Sequence, residues 1–155
     1  MAQAKKTKVE LYTDGACSGN PGVGGWAAIL VYGPAEKELV GAVGQTTNNR
    51  MEMTAVIEGL KALKHPCDVT IYSDSAYVVN AIRQNWLRNW KKKGWLNASK
   101  QPVANRDLWE ALDRLMGIHE TTFIKVKGHS DHDYNNRCDA LAVAAVDRYK
   151  KEHNL

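Results

Sequence analysis

Residues 9–22 read VELYTDGACSGNPG and decide the fold expected for this chain. Val9, Leu11 and Thr13 alternate on one face, which predicts a β-strand. The strand is predicted to end at Asp14, where it meets a glycine-rich turn. A carboxylate is therefore expected at the mouth of the strand.

Residues 68–75, DVTIYSDS, follow the same pattern. A short β-branched strand delivers Asp74 at the point where helical spacing takes over. If this strand is a parallel neighbour of the first, Asp14 and Asp74 lie about one strand spacing apart, roughly 4.7–4.9 Å. That separation suits a shared divalent ion.

The length of 155 residues favours one domain with a single core, spanning residues 1–155. Residues 1–8 read as a short polar leader and residues 150–155 as a tail. The three cysteines are widely separated, which argues against a disulfide framework or a zinc site. With no apolar run of membrane-spanning length, we expect a soluble cytoplasmic protein that is not exported and does not contact membranes.

The formal net charge of +4 is unevenly distributed. Residues 75–106 contain no Asp or Glu and carry seven Lys and Arg. This concentration of positive charge in one segment of the chain favours a polyanionic partner. A lysine triplet alone would be explained equally well by a solvated helix face.

Two further strands are predicted in residues 24–32 and 38–44, joined by a turn at residues 33–34. With the first strand they form an antiparallel meander. The glycines of residues 19–25 do not form a phosphate loop, because the Gly-Lys-Ser/Thr ending is missing and a strand follows.

An amphipathic helix is predicted from apolar residues at helical spacing between Met53 and Leu63, with residues able to cap a helix before them. Glu52 is expected in its first turn. Taken alone, that carboxylate is explained by favourable interaction with the helix dipole.

A second helix is predicted in residues 76–84, followed by a basic, tryptophan-rich segment. Trp86 and Trp90 are one helical turn apart, so both rings can line a nucleic-acid groove. The alternative is that one or both tryptophans pack into the core. Residues 96–104 read as a loop, and a helix follows in residues 105–116, with Gly117 as its stop.

The last strand is predicted in residues 121–126 and a polar loop in residues 128–134. Asp139 is expected to open the final helix. The histidines and aspartates of the loop lack helical or strand spacing, so solvated side chains explain them better than metal ligation.

Five short motifs occur in a fixed order along nearly the whole chain. The first combines YTDG at residues 12–15 with GNPG at 19–22, and the other four are TTNNRME at 46–52, SDS at 73–75, VKGH at 126–129 and NRCD at 136–139. Together they resemble bacterial-type ribonuclease HI. The segment at residues 83–96 resembles the basic handle of the handle-bearing members of that family.

The resemblance implies a five-stranded mixed sheet, three antiparallel strands followed by two parallel ones, with helices on both faces (α/β). It also implies an endonuclease that hydrolyses the RNA strand of RNA/DNA hybrids by a two-metal-ion mechanism, leaving 5′-phosphate and 3′-hydroxyl ends. The implied metal ligands are Asp14, Glu52, Asp74 and Asp139, and His129 would handle a proton or assist product release. Carboxylate oxygens favour Mg²⁺, with Mn²⁺ as a substitute.

The same resemblance implies how the hybrid is held by a monomer with no protein partner. The amides of Asn20, Asn48 and Asn49 would contact the minor groove. Thr47 and Asn105 would bind a DNA phosphate. In the handle, Trp86 would form part of the wall of the channel that holds the DNA strand, and Lys92 would add salt-dependent affinity for the hybrid.

Three positions depart from the pattern of the family. One residue is inserted near Asn85, which shifts the handle assignments. Asn136 replaces an acid that is often found before the last catalytic aspartate, and Ala104 replaces a frequent lysine, so we expect differences of degree in metal affinity and phosphate binding.

Two other functional classes fit part of the pattern. A catalytically silent hybrid-binding module would keep the asparagines and the basic segment, but it should lack at least one of the four acids. An integrase or resolvase that acts on DNA would share the acids but has no evident use for residues 46–52. Cleavage of a hybrid against duplex DNA separates these classes.

Overall fold

Five strands form a mixed sheet in the computed structural model, which describes residues 6–127 and 132–155. They are β1 (Thr7–Gly19), β2 (Gly22–Tyr32), β3 (Ala35–Thr46), β4 (Cys67–Ser73) and β5 (Glu120–Lys125). The helices are α1 (Asn48–Lys61), α2 (Ala76–Arg83), α3 (Trp86–Lys92), α4 (Arg106–Ile118) and α5 (Asp133–Glu152).

The strand order in the sheet is β3-β2-β1-β4-β5. β1, β2 and β3 pair antiparallel, whereas β4 pairs parallel with both β1 and β5. The predicted topology is thus confirmed, including the parallel pairing of the two strands that precede Asp14 and Asp74. The last parallel pair between β1 and β4 is Tyr12 with Tyr72.

Alternate residues of the strands pack into two cores on opposite faces of the sheet. On one face Leu11 and Ala28 lie with the apolar stripes of α1, α2 and α4. On the other face Tyr12 and Ala27 lie with α5. Helices therefore cover both faces, as predicted.

The prediction that β1 ends at Asp14 was wrong. The strand continues to Gly19, because its antiparallel ladder with β2 runs to the pair Gly19 with Gly22. Only the parallel pairing with β4 stops earlier. Asp14 consequently lies inside a continuous strand, just past the point where one of its two neighbours departs.

Two helix boundaries also differ from prediction. α5 begins at Asp133, six residues before Asp139, which therefore lies in the second turn and does not open the helix. α4 continues through Gly117 to Ile118. Gly117 does not terminate α4, since it lacks the left-handed conformation of a glycine stop.

None of the helices in the described residues combines the length and apolar character that a bilayer-spanning segment needs. His129, which the sequence marks as a candidate catalytic residue, lies outside the described residues.

Candidate active site

Two of the four candidate acids come from the adjacent strands β1 and β4. Asp14 follows the last parallel residue of β1, Tyr12, by two positions, and Asp74 directly follows the end of β4. Because both strands run in the same direction, their carboxylates emerge at the same end of the sheet. Asp14 is only 7% exposed.

Glu52 comes from α1 and points back to the sheet. α1 starts at Asn48, so Glu52 is its fifth residue and not in the first turn, contrary to prediction. Its side chain is 3% exposed. Interaction with the helix terminus therefore does not explain this carboxylate, and its burial beside other acids needs another reason.

Gly15 joins Asp14 and Glu52. Its backbone N–H donates to Asp14 Oδ1 at 2.9 Å and to Glu52 Oε1. A Cβ atom at this position would lie 2.6 Å from the backbone nitrogen of Glu52, closer than real Cβ atoms come to other atoms. Glycine is therefore required for β1 and α1 to approach closely enough to share this N–H.

One carboxylate oxygen from each of Asp14, Glu52 and Asp74 lies within 4.8 Å of the other two. Asp139 of α5 lines the same cavity of about 400 Å³. The other lining residues are polar or small: Gly15, Asn48, Asn49, Ser75, Ala76 and Tyr77. All four predicted acids thus meet at one site.

Burial, followed by neighbouring negative charge, raises the pKa values of Asp14 and Glu52. Burial, together with the charges of Asp74 and Asp139, raises the pKa of Asp14 to about 7. Burial is also the largest cause of the raised pKa of Glu52, followed by its contacts with Asp14 and Asp74. A group of buried acids with raised pKa values is unfavourable without protons or cations between them.

The residues of the cavity fit a divalent metal ion. The triad of Asp14, Glu52 and Asp74 offers oxygen ligands alone, which suit hard cations such as Mg²⁺ and Mn²⁺ better than zinc. A bound cation would also offset the repulsion among these carboxylates.

Two of the candidate substrate-binding asparagines border the cavity, and the third lies beside them. Asn48 and Asn49 line it directly. Asn20, in the turn between β1 and β2, accepts a hydrogen bond from the backbone N–H of Asn48 at 3.1 Å. The three amides thus form one group at the start of α1.

Thr47 and Asn105 are brought together by Arg50, which the sequence analysis did not single out. Thr47 caps α1 by accepting from the backbone N–H of Arg50 at 3.3 Å. The Arg50 guanidinium donates to Asn105 Oδ1 at 3.3 Å and to both carboxylate oxygens of Asp107 at 2.9 and 2.7 Å. The motif around Glu52 contains this arginine, but no spacing rule connects it with residue 105.

The handle residues do not line the cavity of the acids. Trp86 and Trp90 are on α3 with ring centroids 5.9 Å apart, and both are partly buried against the core, Trp90 beside Trp109. Core packing therefore accounts for part of both rings. Lys92 is exposed on the same helix.

Comparison with known proteins agrees with this geometry. A family model described as RNase H matches residues 6–147. A ribonuclease H of Acetivibrio thermocellus is 59% identical over 145 residues, covering 94% of this chain and 99% of the relative. A ribonuclease H of Chlorobaculum parvum is 60% identical over 138 residues, covering 89% of this chain and 94% of the relative.

Solved structures show the same fold. LC9-RNase H1, a type 1 RNase H with the type 2 active-site motif, superposes with a TM-score of 0.84 at 26% identity, covering 95% of this chain and 75% of that one. LC11-RNase H1, solved in complex with an RNA/DNA hybrid, gives a TM-score of 0.70 at 22% identity, covering 91% of this chain and 98% of that one. On the matched family model and these identities, the chain belongs to the ribonuclease H family.

Proposed function

We propose that this protein is an endonuclease that hydrolyses the RNA strand of RNA/DNA hybrids with the help of divalent metal ions. The observation that carries the proposal is the triad of Asp14, Glu52 and Asp74, the first two of them buried, in an open polar cavity that Asp139 also lines. We take Mg²⁺ as the natural ion, with Mn²⁺ as a substitute, and a cytoplasmic monomer as the acting form.

In this proposal Asp14, Glu52 and Asp74 hold one side of the metal site, and Asp139 holds the other. Two ions bound there would supply an activated water and stabilise charge on the departing 3′ oxygen. The water oxygen would bond to phosphorus and release a proton to solvent, the bond from phosphorus to the 3′ oxygen would break, and protonation of that oxygen would leave 5′-phosphate and 3′-hydroxyl ends. The Gly15 N–H fixes one oxygen of Glu52 for this role.

The departing 3′ oxygen must gain a proton to become a hydroxyl group. A histidine titrates near neutral pH and can serve, so His129 is proposed to assist proton transfer or product release. Its role is auxiliary, since charge stabilisation comes from the ions.

The asparagines are proposed to select the hybrid. A 2′-hydroxyl both donates and accepts hydrogen bonds, and an amide side chain matches it in both respects. Asn20, Asn48 and Asn49 form one polar group beside the acids. That LC11-RNase H1 has been solved with an RNA/DNA hybrid supports this choice of substrate.

The DNA strand is proposed to lie across Thr47, Asn105 and the handle. The contacts of Arg50 with Thr47 and Asn105 bring a cation and two polar side chains together, which supports a phosphate site there. Residues 83–96 form the handle of the single domain, in which Trp86 borders the DNA strand and Lys92 contacts its phosphates.

The test is cleavage of one labelled RNA strand, presented as an RNA/DNA hybrid, as duplex RNA and as single-stranded RNA, with Mg²⁺ or with EDTA. Asp139→Asn is compared with Asp147→Asn, which removes the same charge from an exposed position on the same helix. We expect Mg²⁺-dependent cutting of the hybrid alone, lost in D139N and kept in D147N.

Other outcomes identify the competing functions. Hybrid binding without cutting in Mg²⁺ or Mn²⁺ would make the protein a binding module. Cutting of duplex DNA in preference to the hybrid would place it with the DNA-processing enzymes. Equal activity of D139N and the wild type would mean that Asp139 does not take part in metal binding or catalysis.

A further inference from the structure

Asn135 lies in the first turn of α5 with 9% of its surface exposed. Its side-chain amide donates to two backbone carbonyl oxygens, that of Tyr72 at 3.3 Å and that of Thr13 at 3.5 Å. These carbonyls belong to different strands, β4 and β1. One side chain of the helix therefore bridges both strands.

The bridge lies where β1 and β4 part. Tyr12 and Tyr72 form the last pair of the parallel ladder, and Asp14 and Asp74 follow two residues later. Past this pair the ladder no longer sets the separation of the strands. Side chains do so instead: the Asn135 amide and the Thr13 hydroxyl, which donates to the Tyr72 carbonyl at 3.2 Å.

The same amide fixes the helix that carries the fourth acid. Asp139 follows Asn135 by four residues, so the two share one face of α5. Asp139 lines the cavity of the acids. A single side chain thus connects the supports of three of the four carboxylates.

Other contacts hold the start of α5 independently. The Tyr134 ring stacks on Tyr12 with centroids 4.6 Å apart, and Cys138 Sγ donates to the Tyr12 carbonyl at 3.3 Å. Removal of the Asn135 amide should therefore change the spacing at the strand ends while the helix stays in place.

Packing alone does not explain why residue 135 is an asparagine. Asn135 Oδ1 is buried and has no hydrogen-bond partner within the described part of the chain. Burial of an unpaired polar oxygen lowers stability, and an apolar side chain of similar shape would avoid that cost.

We propose that Asn135 is a positioning residue for the metal site. Its amide holds β1, β4 and α5 at the spacing at which Asp14, Asp74 and Asp139 act on the same ions. This inference rests on the proposed function, because it takes the acids to be metal ligands. Residues that orient ligands from behind typically change metal affinity or activity about 10- to 100-fold when replaced.

The test uses Asn135→Leu, which keeps the branched shape and removes the donor. Binding of Mn²⁺ is measured by calorimetry and by electron paramagnetic resonance without substrate, and hybrid affinity is measured in EDTA. Val146→Ala is the control, since it weakens a buried position in the later half of the same helix. We expect N135L to bind Mn²⁺ about tenfold more weakly, with hybrid affinity within twofold of wild type, and V146A to change Tm alone.

Wild-type Mn²⁺ affinity in folded N135L overturns the proposal. If N135L does not fold, Asn135→Ala replaces it, compared with V146A at equal loss of Tm: weaker Mn²⁺ binding in N135A alone supports positioning, and equal binding overturns it. Failure of the proposed function is a different result, in which the wild type binds Mn²⁺ but does not cut the hybrid.

Discussion

Asp14 is a buried acid whose raised pKa links the stability of the metal-free protein to pH. Its unfolded pKa of 3.8 rises to about 7 in the folded protein, chiefly through burial. Between these values the folded protein binds more protons than the unfolded chain does. The contribution of Asp14 to the stability of the metal-free protein therefore falls as pH rises from about 4 to about 7 and is lost above pH 7.

The first prediction is that Asp14→Asn stabilises the metal-free protein at pH 8. Each pKa unit is worth about 1.4 kcal/mol, and 1 kcal/mol is worth about 2–4 °C of Tm in a domain of this size. In EDTA we expect D14N to melt several degrees above wild type at pH 8 and close to it at pH 4. The check is a Tm series over pH.

D147N provides the control for this series, because it removes a charge from an exposed part of α5. Glu52 acts in the same direction as Asp14, so D14N should keep part of the pH dependence. A D14N protein that melts below D147N at pH 8 in EDTA would contradict the prediction.

Gly15 is the second residue whose replacement is informative. A Cβ there would lie 2.6 Å from Glu52 N and 2.7 Å from the carbonyl carbon of Met51. We expect Gly15→Ala to cost about 1–3 kcal/mol and to weaken Mn²⁺ binding, because α1 must move away from β1. Urea unfolding and Mn²⁺ titration measure the two effects.

Gly117→Ala is the matched control. Gly117 lies inside α4 and a Cβ there meets nothing within 4 Å. We expect G117A to gain up to about 1 kcal/mol from helix propensity and to leave Mn²⁺ binding unchanged. Similar results for the two variants would mean that the approach of β1 to α1 is not what Gly15 provides.

Among the helices, α2 and α4 are joined by one phenol group. Tyr77 OH accepts hydrogen bonds from Asn105 Nδ2 at 3.0 Å and from Trp109 Nε1 at 3.1 Å. Trp109 is completely buried, so its N–H has no access to water. The link also fixes Asn105, which precedes α4 in the left-handed conformation, with φ of 60°.

The third prediction is that Tyr77→Phe costs about 1–3 kcal/mol, the penalty for leaving a buried donor unpaired. Urea unfolding followed by tryptophan fluorescence measures it. Tyr32→Phe, at an exposed position, should be neutral. Hybrid affinity should also fall in Y77F, since Asn105 loses one of its partners, and an unchanged free energy of unfolding would count against the link.

The helices also show which parts of the site were predictable from sequence. Alternation and turn chemistry predicted the strands, and the motifs predicted that Asp14, Glu52, Asp74 and Asp139 act together. The start of α5 was not predictable, because Asp133 and Tyr134 read as loop residues, whereas the Tyr134 ring packs against Tyr12 of a distant strand and the residues are helical. Arg50 and Asn105 meet for the same reason: their hydrogen bond joins residues far apart in sequence.

The extent of β1 was missed through a different physical cause. Glycines normally predict a turn, but Gly15 is kept in the strand by its pairing with Trp26 of β2. Its small size serves close packing against α1. Composition alone does not distinguish these two uses of glycine.

For the molecule as a whole, charge separates into two regions. Acids concentrate at the end of the parallel strands, where a cation is needed. Residues 75–106 carry seven positive charges and no acid. Ions are therefore expected at one region and phosphates at the other, and the two should respond differently to salt: divalent binding depends on the acids, whereas hybrid binding depends on release of counterions.

The last prediction concerns that salt dependence. Lys91 is paired with Asp113 at 3.2 Å, whereas Lys92 and Lys93 are exposed and form no ion pair within residues 6–127 and 132–155. A lysine that contacts a phosphate contributes about 0.7–0.9 to the slope of log affinity against log salt. Replacing Lys92 and Lys93 with alanine together should reduce the slope of hybrid binding in EDTA by about 1.4–1.8. Lys91→Ala should reduce it less, because its charge is already partly neutralised.

Lys151→Ala provides the control, since it removes a positive charge from the exposed end of α5. Its slope should match the wild type, while all variants keep the same Mn²⁺ affinity and Tm. An equal loss of slope in K151A and in the double variant would mean that the whole positive charge of the protein attracts the hybrid. In that case the handle would make no contact with the hybrid, its lysines would be solvated, and its tryptophans would serve core packing.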